Sequence, residues 1–193
     1  LAGERLRIMR DMHDGVGSQL IAARQLVERG AVDAADVAAL LDGCMDDLRL
    51  VIDSLEPTEG DLVTVLGNLR YRLTDRLARH GVTLDWRVTE LPAQSRLGPS
   101  EILQVLRIVQ EAFANAVKHS GATTMGLSAA LASGGRAIAL TVHDDGRGFQ
   151  PAADPARGRG LGNMRQRAEA LGGALSVESA PGHGCTVTLT LPC

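Results

Sequence analysis

The chain has 193 residues, of which 45% are hydrophobic and only 2% aromatic, so an aliphatic core is expected in one large domain or in a helical module followed by one domain. The formal net charge of −3, without a basic tract or an aromatic stacking surface, argues against nucleic acid as a partner. Three widely spaced cysteines exclude a cysteine metal motif and favour a reducing cytosolic setting, and no apolar stretch is long enough to predict a membrane span.

The first 57 residues predict a helical hairpin. Apolar side chains recur at spacings of three and four through residues 2–29, and again from Val37 to Leu55 in a heptad pattern that Pro57 ends. Asp33 lies in the short break between the two helices and is expected to cap the second one. Because a hairpin offers too little surface to bury both apolar seams, we expect two copies to form a dimeric four-helix bundle.

Residues 58–193 predict a second domain, in which helices and strands are mixed. Periodicity and glycine stops predict helices over 62–81, 99–122 and 162–173, strands over 82–88, 123–131 and 136–146, and a hairpin over 174–192. This order indicates an α+β fold, with a mixed sheet that carries its helices on one face as an α/β sandwich.

One candidate site lies on the second of these predicted helices, in the stretch QEAFANAVKH. Glu111, Asn115 and His119 are spaced i, i+4 and i+8, which places them in one polar stripe along the helix. The amide oxygen of Asn115 is a hard donor of the kind that Mg²⁺ prefers. Taken alone, the stripe is more typical of a solvated helix face.

A second candidate is the stretch DDGRGF, directly after an apolar strand. It places Asp144 at the strand end, with Gly146 and Gly148 where the backbone must bend. A carboxylate in that position can accept a hydrogen bond from an exocyclic amine such as that of adenine. Asp-Gly pairs are also common in ordinary turns, so this motif does not identify a site by itself.

The third candidate is the glycine-rich stretch GRGLGNM, where Gly158, Gly160 and Gly162 precede a predicted helix. Glycines leave backbone N–H groups accessible, and helix N-termini attract phosphate. The spacing matches neither a dinucleotide-binding fingerprint nor a P-loop. On its own, the stretch is equally consistent with a flexible loop that ends in a helix cap.

The order of the three clusters is specific, and it resembles the Bergerat-type ATP-binding fold of histidine kinases, Hsp90-like chaperones, DNA gyrase subunits and MutL-type proteins. The resemblance implies that Asp144 binds adenine and that Asn115 holds Mg²⁺. It also implies that the glycines let the nucleotide approach and that PAADPARGRG is a short ATP lid. The cofactor-binding residues carried over in this way are Asn115, Lys118, His119, Asp144, Gly146, Gly148, Gly158, Gly160, Leu161 and Thr186.

The stretch ERLRIMRDMHDGVGSQL is similar to the phosphoacceptor region of sensor histidine kinases of the NarL/DesK-associated class, and LRLVIDSLEP is similar to the end of their dimerisation hairpin. The resemblance implies that His13 is phosphorylated and that Asp14 orients it and assists proton transfer. A neutral imidazole nitrogen is a competent nucleophile near pH 7. A single helical histidine is more often structural, but the neighbouring acid and the downstream ATP module favour the catalytic interpretation.

Two positions depart from the family pattern. Ser18 stands where this class has the Gln of a D-x-x-x-Q motif that positions water for dephosphorylating the partner, so we expect the phosphatase activity to be impaired. Cys185 stands where related folds often have Thr after the glycine, and we expect Thr186 to serve instead. Weaker expectations are that Lys118 or His119 contacts phosphate, and that Glu111 polarises a metal-bound water.

The sequence therefore predicts the cytoplasmic core of a two-component sensor histidine kinase, which uses Mg-ATP to phosphorylate His13 and passes the phosphoryl group to an Asp of a response regulator. Alternatives are a Bergerat-type ATPase or protein-serine kinase, a degenerate nucleotide-binding regulatory dimer, and a net phosphatase. Because the chain starts at Leu1, we expect a fragment whose upstream sensor region would hold any membrane helices. The signal, the cognate regulator and the choice between cis and trans phosphorylation are not encoded in these residues.

Overall fold

The computed structural model divides into two compact units, Leu1–Pro57 and Thr58–Cys193. It describes residues 62–88, 97–150 and 158–193 continuously, together with Leu91 and with separate positions between Leu20 and Leu48. The predicted phosphoacceptor region, which contains His13, Asp14 and Ser18, lies outside the described residues. None of the described helices is long and apolar enough to cross a membrane.

In the first unit, every described residue between 20 and 28 and between 36 and 48 is helical. The Asp33 carboxylate accepts a hydrogen bond from the backbone N–H of Asp36 at 2.9 Å, which confirms the predicted helix cap. Cys44 is buried, whereas a set of large apolar side chains on these helices is exposed. The exposed set is Leu20, Ile21, Val27, Leu41, Met45 and Leu48.

The second unit contains three helices and five strands among its described residues. They are α1 (Leu62–Arg79), β1 (Thr83–Val88), α2 (Pro99–His119), β2 (Thr124–Ala132), β3 (Ala137–Asp144), α3 (Gly158–Ala170), β4 (Ala174–Ser179) and β5 (Cys185–Pro192), with a 3₁₀ turn at Ser133–Gly135. The strands form one sheet in the order β1-β2-β3-β5-β4. The β1–β2 pair is parallel and the other pairs are antiparallel, so the predicted α+β fold with a mixed sheet is confirmed.

Helix α2 is long because its sequence supports both of its ends. Pro99 lies in the first turn, where a missing N–H costs nothing, and Glu101 lies near the positive end of the helix dipole. Lys118 and His119 occupy the last turn, where positive charge is favourable. One side of α2 is buried along its whole length through Ile102, Leu103, Val105, Leu106, Ile108, Val109, Ala112, Phe113 and Ala116. This apolar side packs into the core and leaves the polar stripe of the same helix at its edge.

The sheet has one buried face and one open face, because side chains alternate along each strand. In register across the middle of the sheet, Leu127 of β2 pairs with Val142 of β3, which pairs with Val187 of β5. All three are buried, as are the other apolar residues of this face: Met125, Ala129, Ile138, Leu140, Leu189 and Leu191. The next row toward the sheet end pairs Met125, Asp144 and Cys185, so the buried face ends in a carboxylate and a thiol.

Helix α3 begins at Gly158, earlier than the predicted start at Gly162, so Gly158 and Gly160 lie within the helix and not before it. Glycine is a poor helix former, which is why the local pattern places the start later. A Cβ atom at Gly160 would lie 2.6 Å from Oε1 of Glu111, so the absence of a side chain lets this first turn pack closely against α2.

Candidate functional site

A cleft opens where the buried face of the sheet ends beneath α2 and α3. Val142 and Val187 belong to its apolar sheet wall, and Asp144 and Cys185 lie beyond them at the strand ends. The other lining residues come from α2, α3 and the turns beside β3: Ala112, Asn115, Ala116, His119, Ser120, Gly148, Phe149, Leu161 and Met164. The cleft therefore combines an apolar interior with a few polar groups, which is typical of a small-molecule site.

Asp144 points into this cleft because it is the last residue of β3 and lies two residues after Val142 on the same face. Its Oδ1 accepts a hydrogen bond from the backbone N–H of Gly146 at 2.9 Å. This local turn fixes the carboxylate at the strand end. An acceptor is thus placed beside the apolar wall of Val142 and Val187.

The loop after β3 is fastened to the turn between β4 and β5. Gly148 has a φ of 59°, and a Cβ there would collide with the carbonyl oxygens of Ala180 and Gly184. The backbone N–H of Phe149 donates to Oγ of Ser179 at 2.9 Å, and that hydroxyl donates to the Gly184 carbonyl at 2.7 Å. Only glycine fits both the backbone conformation and the close approach at position 148, and these contacts hold the loop in one conformation.

Asp145 ties the same loop to the start of β2. Its Oδ1 accepts the backbone N–H groups of Thr123 and Thr124 at 2.8 and 2.9 Å, and its Oδ2 accepts the Thr123 hydroxyl at 2.7 Å. These bonds, with the backbone N–H of Thr124 contributing most, hold the pKa of the Asp145 carboxyl below its ordinary value of 3.8. The neighbouring carboxylates therefore differ in role, since Asp144 faces the cleft and Asp145 braces the loop.

The substitution Asp145→Asn is expected to lower the free energy of unfolding by about 1 kcal/mol at pH 7, because it replaces a charged acceptor of three hydrogen bonds. A carboxyl whose pKa is lower in the folded state stabilises the fold above its unfolded pKa, and that contribution disappears as the pH falls through the folded pKa. Urea unfolding of both proteins from pH 7 to pH 3 checks this. The difference should be largest at neutral pH and should shrink below about pH 4. A difference that does not change with pH would contradict it.

The polar stripe of α2 meets the glycine-rich turn of α3. Asn115 lines the cleft, and its Nδ2 donates to Oε1 of Glu111 at 3.3 Å, which leaves its Oδ1 available to the cleft. Gly160 lies against both of these side chains. Within the described part of the chain, no group of three or more His, Cys, Asp or Glu is arranged to hold a metal. The hard oxygen donors present here are the Asn115 amide and the Glu111 carboxylate.

The remaining predicted binding residues are divided between the cleft and other surfaces. His119 and Leu161 line the cleft, whereas Lys118 is exposed in the last turn of α2 and is not among the lining residues. Thr186 lies between Cys185 and Val187, so its side chain is on the open face of the sheet, opposite His143 in register. The position that faces the cleft on β5 is therefore Cys185, and Thr186 is directed away from it.

Several lining residues were not predicted as site residues: Ser120, Phe149, Met164 and Cys185, together with the apolar wall. For some lining residues, the sequence periodicity indicates a position in the cleft. Val142 precedes Asp144 by two residues on a strand, and Ala112 precedes Asn115 by three residues on a helix, so each pair shares a face. Ser120, in helical conformation at the end of α2, follows Ala112 and Ala116 at a spacing of four and shares their face. Phe149 lies in a loop, where no periodicity relates sequence position to direction.

Comparisons with known proteins agree with this geometry. Residues 100–193 match the family described as histidine kinase-, DNA gyrase B-, and HSP90-like ATPase. The chain is 31% identical over 201 residues to the signal transduction histidine-protein kinase/phosphatase UhpB of Salmonella typhimurium. This alignment covers 97% of this chain and 38% of UhpB. It is 32% identical over 195 residues to the sensor histidine kinase LnrJ of Bacillus subtilis, which covers 95% of this chain and 46% of that protein. The chain thus spans less than half the length of either relative.

The fold agrees with a solved histidine kinase domain. The histidine kinase domain of the blue-light activated histidine kinase from Erythrobacter litoralis EL346 superposes with a TM-score of 0.67, covering 98% of this chain and 94% of that one. Its sequence identity is 18%, so this likeness concerns the fold. The family match and the two relatives, by contrast, support the histidine kinase core that the motifs predict. The chain contains the catalytic, ATP-binding core of a sensor histidine kinase.

Proposed function

We propose that this core transfers the γ-phosphoryl group of ATP to His13 and then to an aspartate of a response regulator. The observation that carries the proposal is that one cleft gathers Asn115, Asp144, Gly148 and Leu161, which the sequence separates widely. The two relatives support it, since one is a histidine-protein kinase/phosphatase and the other a sensor histidine kinase.

The arrangement of polar groups suggests how the nucleotide lies. The adenine ring fits against the apolar wall of Val142 and Val187, where the Asp144 carboxylate accepts a hydrogen bond from its exocyclic amine. The phosphates then extend toward Asn115 and the glycine-rich first turn of α3, where backbone N–H groups at a helix N-terminus attract negative charge. His119 lines the cleft near the end of α2, and we propose that it contacts the phosphates.

The donor set at Asn115 and Glu111 fits Mg²⁺, because this ion is usually held by one or two protein oxygens with substrate phosphates and water completing its octahedron. A cage of three or more acidic ligands is not required. When bound, Mg²⁺ neutralises negative charge on the triphosphate. In this chain, Asn115 would hold it through Oδ1, while Glu111 orients the Asn115 amide and would supply a nearby carboxylate to polarise water on the ion.

His13 is the proposed nucleophile, through a ring nitrogen that is neutral near pH 7. Asp14 would accept a proton from the other ring nitrogen and orient the ring, so that the attacking nitrogen faces the γ-phosphorus. The bond from the γ-phosphorus to the bridging oxygen of ADP breaks as the nitrogen–phosphorus bond forms. Positioning supplies most of the catalysis in such transfers, because little covalent chemistry is left to the protein.

We also propose that the functional unit is a homodimer, in which the helices of the first unit form a four-helix bundle. Leu41, Met45 and Leu48 are spaced by four and three residues, as in a heptad seam, and each is 36–47% exposed in the single chain. Leu20 and Val27 are seven residues apart and are also exposed. A second copy would cover these side chains, which are unfavourable in water.

The double substitution Leu41→Glu with Met45→Glu is expected to weaken dimerisation at least tenfold, because it places four carboxylates per dimer in an apolar seam. Sedimentation velocity over a concentration series measures the effect. Gln25→Glu, which adds one negative charge per chain, is the control for charge outside the seam, since Gln25 lies about 140° around the helix from Leu20. Dimerisation that survives the double substitution would argue against this interface.

The test of the proposed reaction is the chemical lability of the label that the chain acquires from Mg-ATP carrying ³²P at the γ position. We expect a label that is lost in acid and retained in alkali, as a phosphoramidate on histidine is. An acid-stable and alkali-labile label would favour the protein-serine kinase alternative. ATP hydrolysis without labelling would favour a simple ATPase, and binding without turnover would favour the degenerate regulatory dimer.

A further inference from the structure

A buried hydroxyl lies beside the carboxylate that faces the cleft. Ser120, directly after α2, is 8% exposed, and it is the buried polar side chain among the described residues. It lines the same cleft as Asp144. Gly146 connects the two, because its N–H donates to Asp144 and a Cβ on it would lie 2.5 Å from the Ser120 Cβ.

The backbone around Ser120 is fully engaged. Its N–H donates to the Ala116 carbonyl at 2.9 Å, and its own carbonyl accepts the N–H of Arg147 at 2.9 Å. The Arg147 guanidinium Nε donates to the His119 carbonyl at 2.6 Å, which ties the end of α2 to the loop after β3. These bonds hold the Ser120 side chain in place at the cleft wall.

The Ser120 hydroxyl accepts a hydrogen bond but does not donate one among the described residues. Its Oγ accepts the backbone N–H of Ala122 at 3.0 Å, and within the described ranges no acceptor receives its hydrogen. A buried hydroxyl needs an acceptor for that hydrogen, because leaving a buried polar group unpaired is unfavourable. Because Ser120 lines the cleft, a ligand bound there can supply this acceptor.

We propose that Ser120 and Asp144 together recognise the adenine base. The Ser120 hydroxyl would donate its hydrogen to one of the two ring nitrogens that flank the exocyclic amine. Adenine offers a donor, its amine, flanked by acceptor nitrogens at positions 1 and 7. An acceptor at Asp144 next to a donor at Ser120 matches that pattern. Guanine and hypoxanthine carry an oxygen where adenine has the amine, so they present an acceptor to the carboxylate. This inference rests on the proposed binding of ATP in the cleft.

A set of base analogues tests the contact directly. The full chain is titrated with Mg-ATP, 1-deaza-ATP and 7-deaza-ATP, which lack one ring acceptor each, and affinities are measured by isothermal titration calorimetry. Wild-type protein should bind one of the two analogues about fivefold more weakly than ATP, as expected for one lost hydrogen bond. If both analogues bind as tightly as ATP, the inference fails.

The variant Ser120→Ala separates recognition from structure. It should bind ATP about fivefold more weakly, yet it should bind the discriminating analogue as tightly as wild type does. If the variant loses the same factor with all three nucleotides, Ser120 acts only through the Ala122 turn, and the inference is overturned. If the variant does not fold, the wild-type comparison still decides. Failure of wild-type protein to bind ATP at all would instead reject the proposed function.

Discussion

His13→Gln should abolish labelling by Mg-ATP while leaving ATP affinity within about twofold of wild type. The amide of glutamine matches much of the volume of imidazole but has no nucleophilic nitrogen, so the acceptor is lost and the nucleotide cleft is not. Because His13 belongs to the first unit and the cleft to the second, binding and transfer are expected to separate cleanly. Both quantities are measured on one preparation of each protein. The radioactive label is measured by filter binding or gel autoradiography, and the affinity for ATP by calorimetry.

The matched control for His13 is His80→Gln. His80 is exposed in the turn after α1 and takes no part in the proposed reaction. This variant should be labelled at the wild-type rate. Persistent acid-labile label in His13→Gln would place the phosphoacceptor on another histidine and would remove the main reason for assigning the first unit to phosphotransfer.

The second large effect is expected at the adenine end of the cleft. Asp144→Asn should weaken ATP binding by about 10- to 100-fold, because a hydrogen bond to a charged acceptor contributes about 1.5–3 kcal/mol. An amide also presents a second donor group to the adenine amine. Its oxygen can still accept the Gly146 N–H, so the turn and the melting temperature should be nearly unchanged.

Two other carboxylates serve as controls for Asp144. Asp85→Asn removes a carboxylate on the open sheet face, where Arg87 lies 2.7 Å from it, and ATP affinity should stay within about twofold of wild type. Asp145→Asn should mainly lower stability, as described above. If Asp144→Asn left ATP affinity unchanged, the carboxylate would not contact the base, and the proposed orientation of the nucleotide would be wrong.

The two carboxylates of the DDG motif illustrate how much of the site can be predicted. A residue two positions after a buried Val142 must share its face, so the direction of Asp144 follows from strand alternation. The role of Asp145 does not follow from any local pattern, since its partners Thr123 and Thr124 are more than twenty residues away in sequence. Long-range backbone hydrogen bonds of this kind become visible only when the strands are paired.

The start of α3 shows a second limit of local reasoning. The glycines at positions 158, 160 and 162 argue for a loop, because each glycine destabilises a helix by about 1 kcal/mol relative to alanine. The structure forms the helix through them, and Gly160 packs against the ends of the Glu111 and Asn115 side chains, with its Cβ position 2.6 Å from Oε1 of Glu111. Tertiary contact thus outweighs intrinsic propensity at the point where the phosphates are proposed to lie.

The order of residues alone specifies the α+β class, the position of most helices and strands, and the motifs that resemble a histidine kinase, because these depend on local periodicity and spacing. It also determines that Cys185 and Thr186 face opposite sides of β5. Only the folded chain decides which of the two meets the cleft. The alternation along a strand has a definite period, but its phase relative to the core depends on the register with neighbouring strands, here the pairing of Asp144 with Cys185.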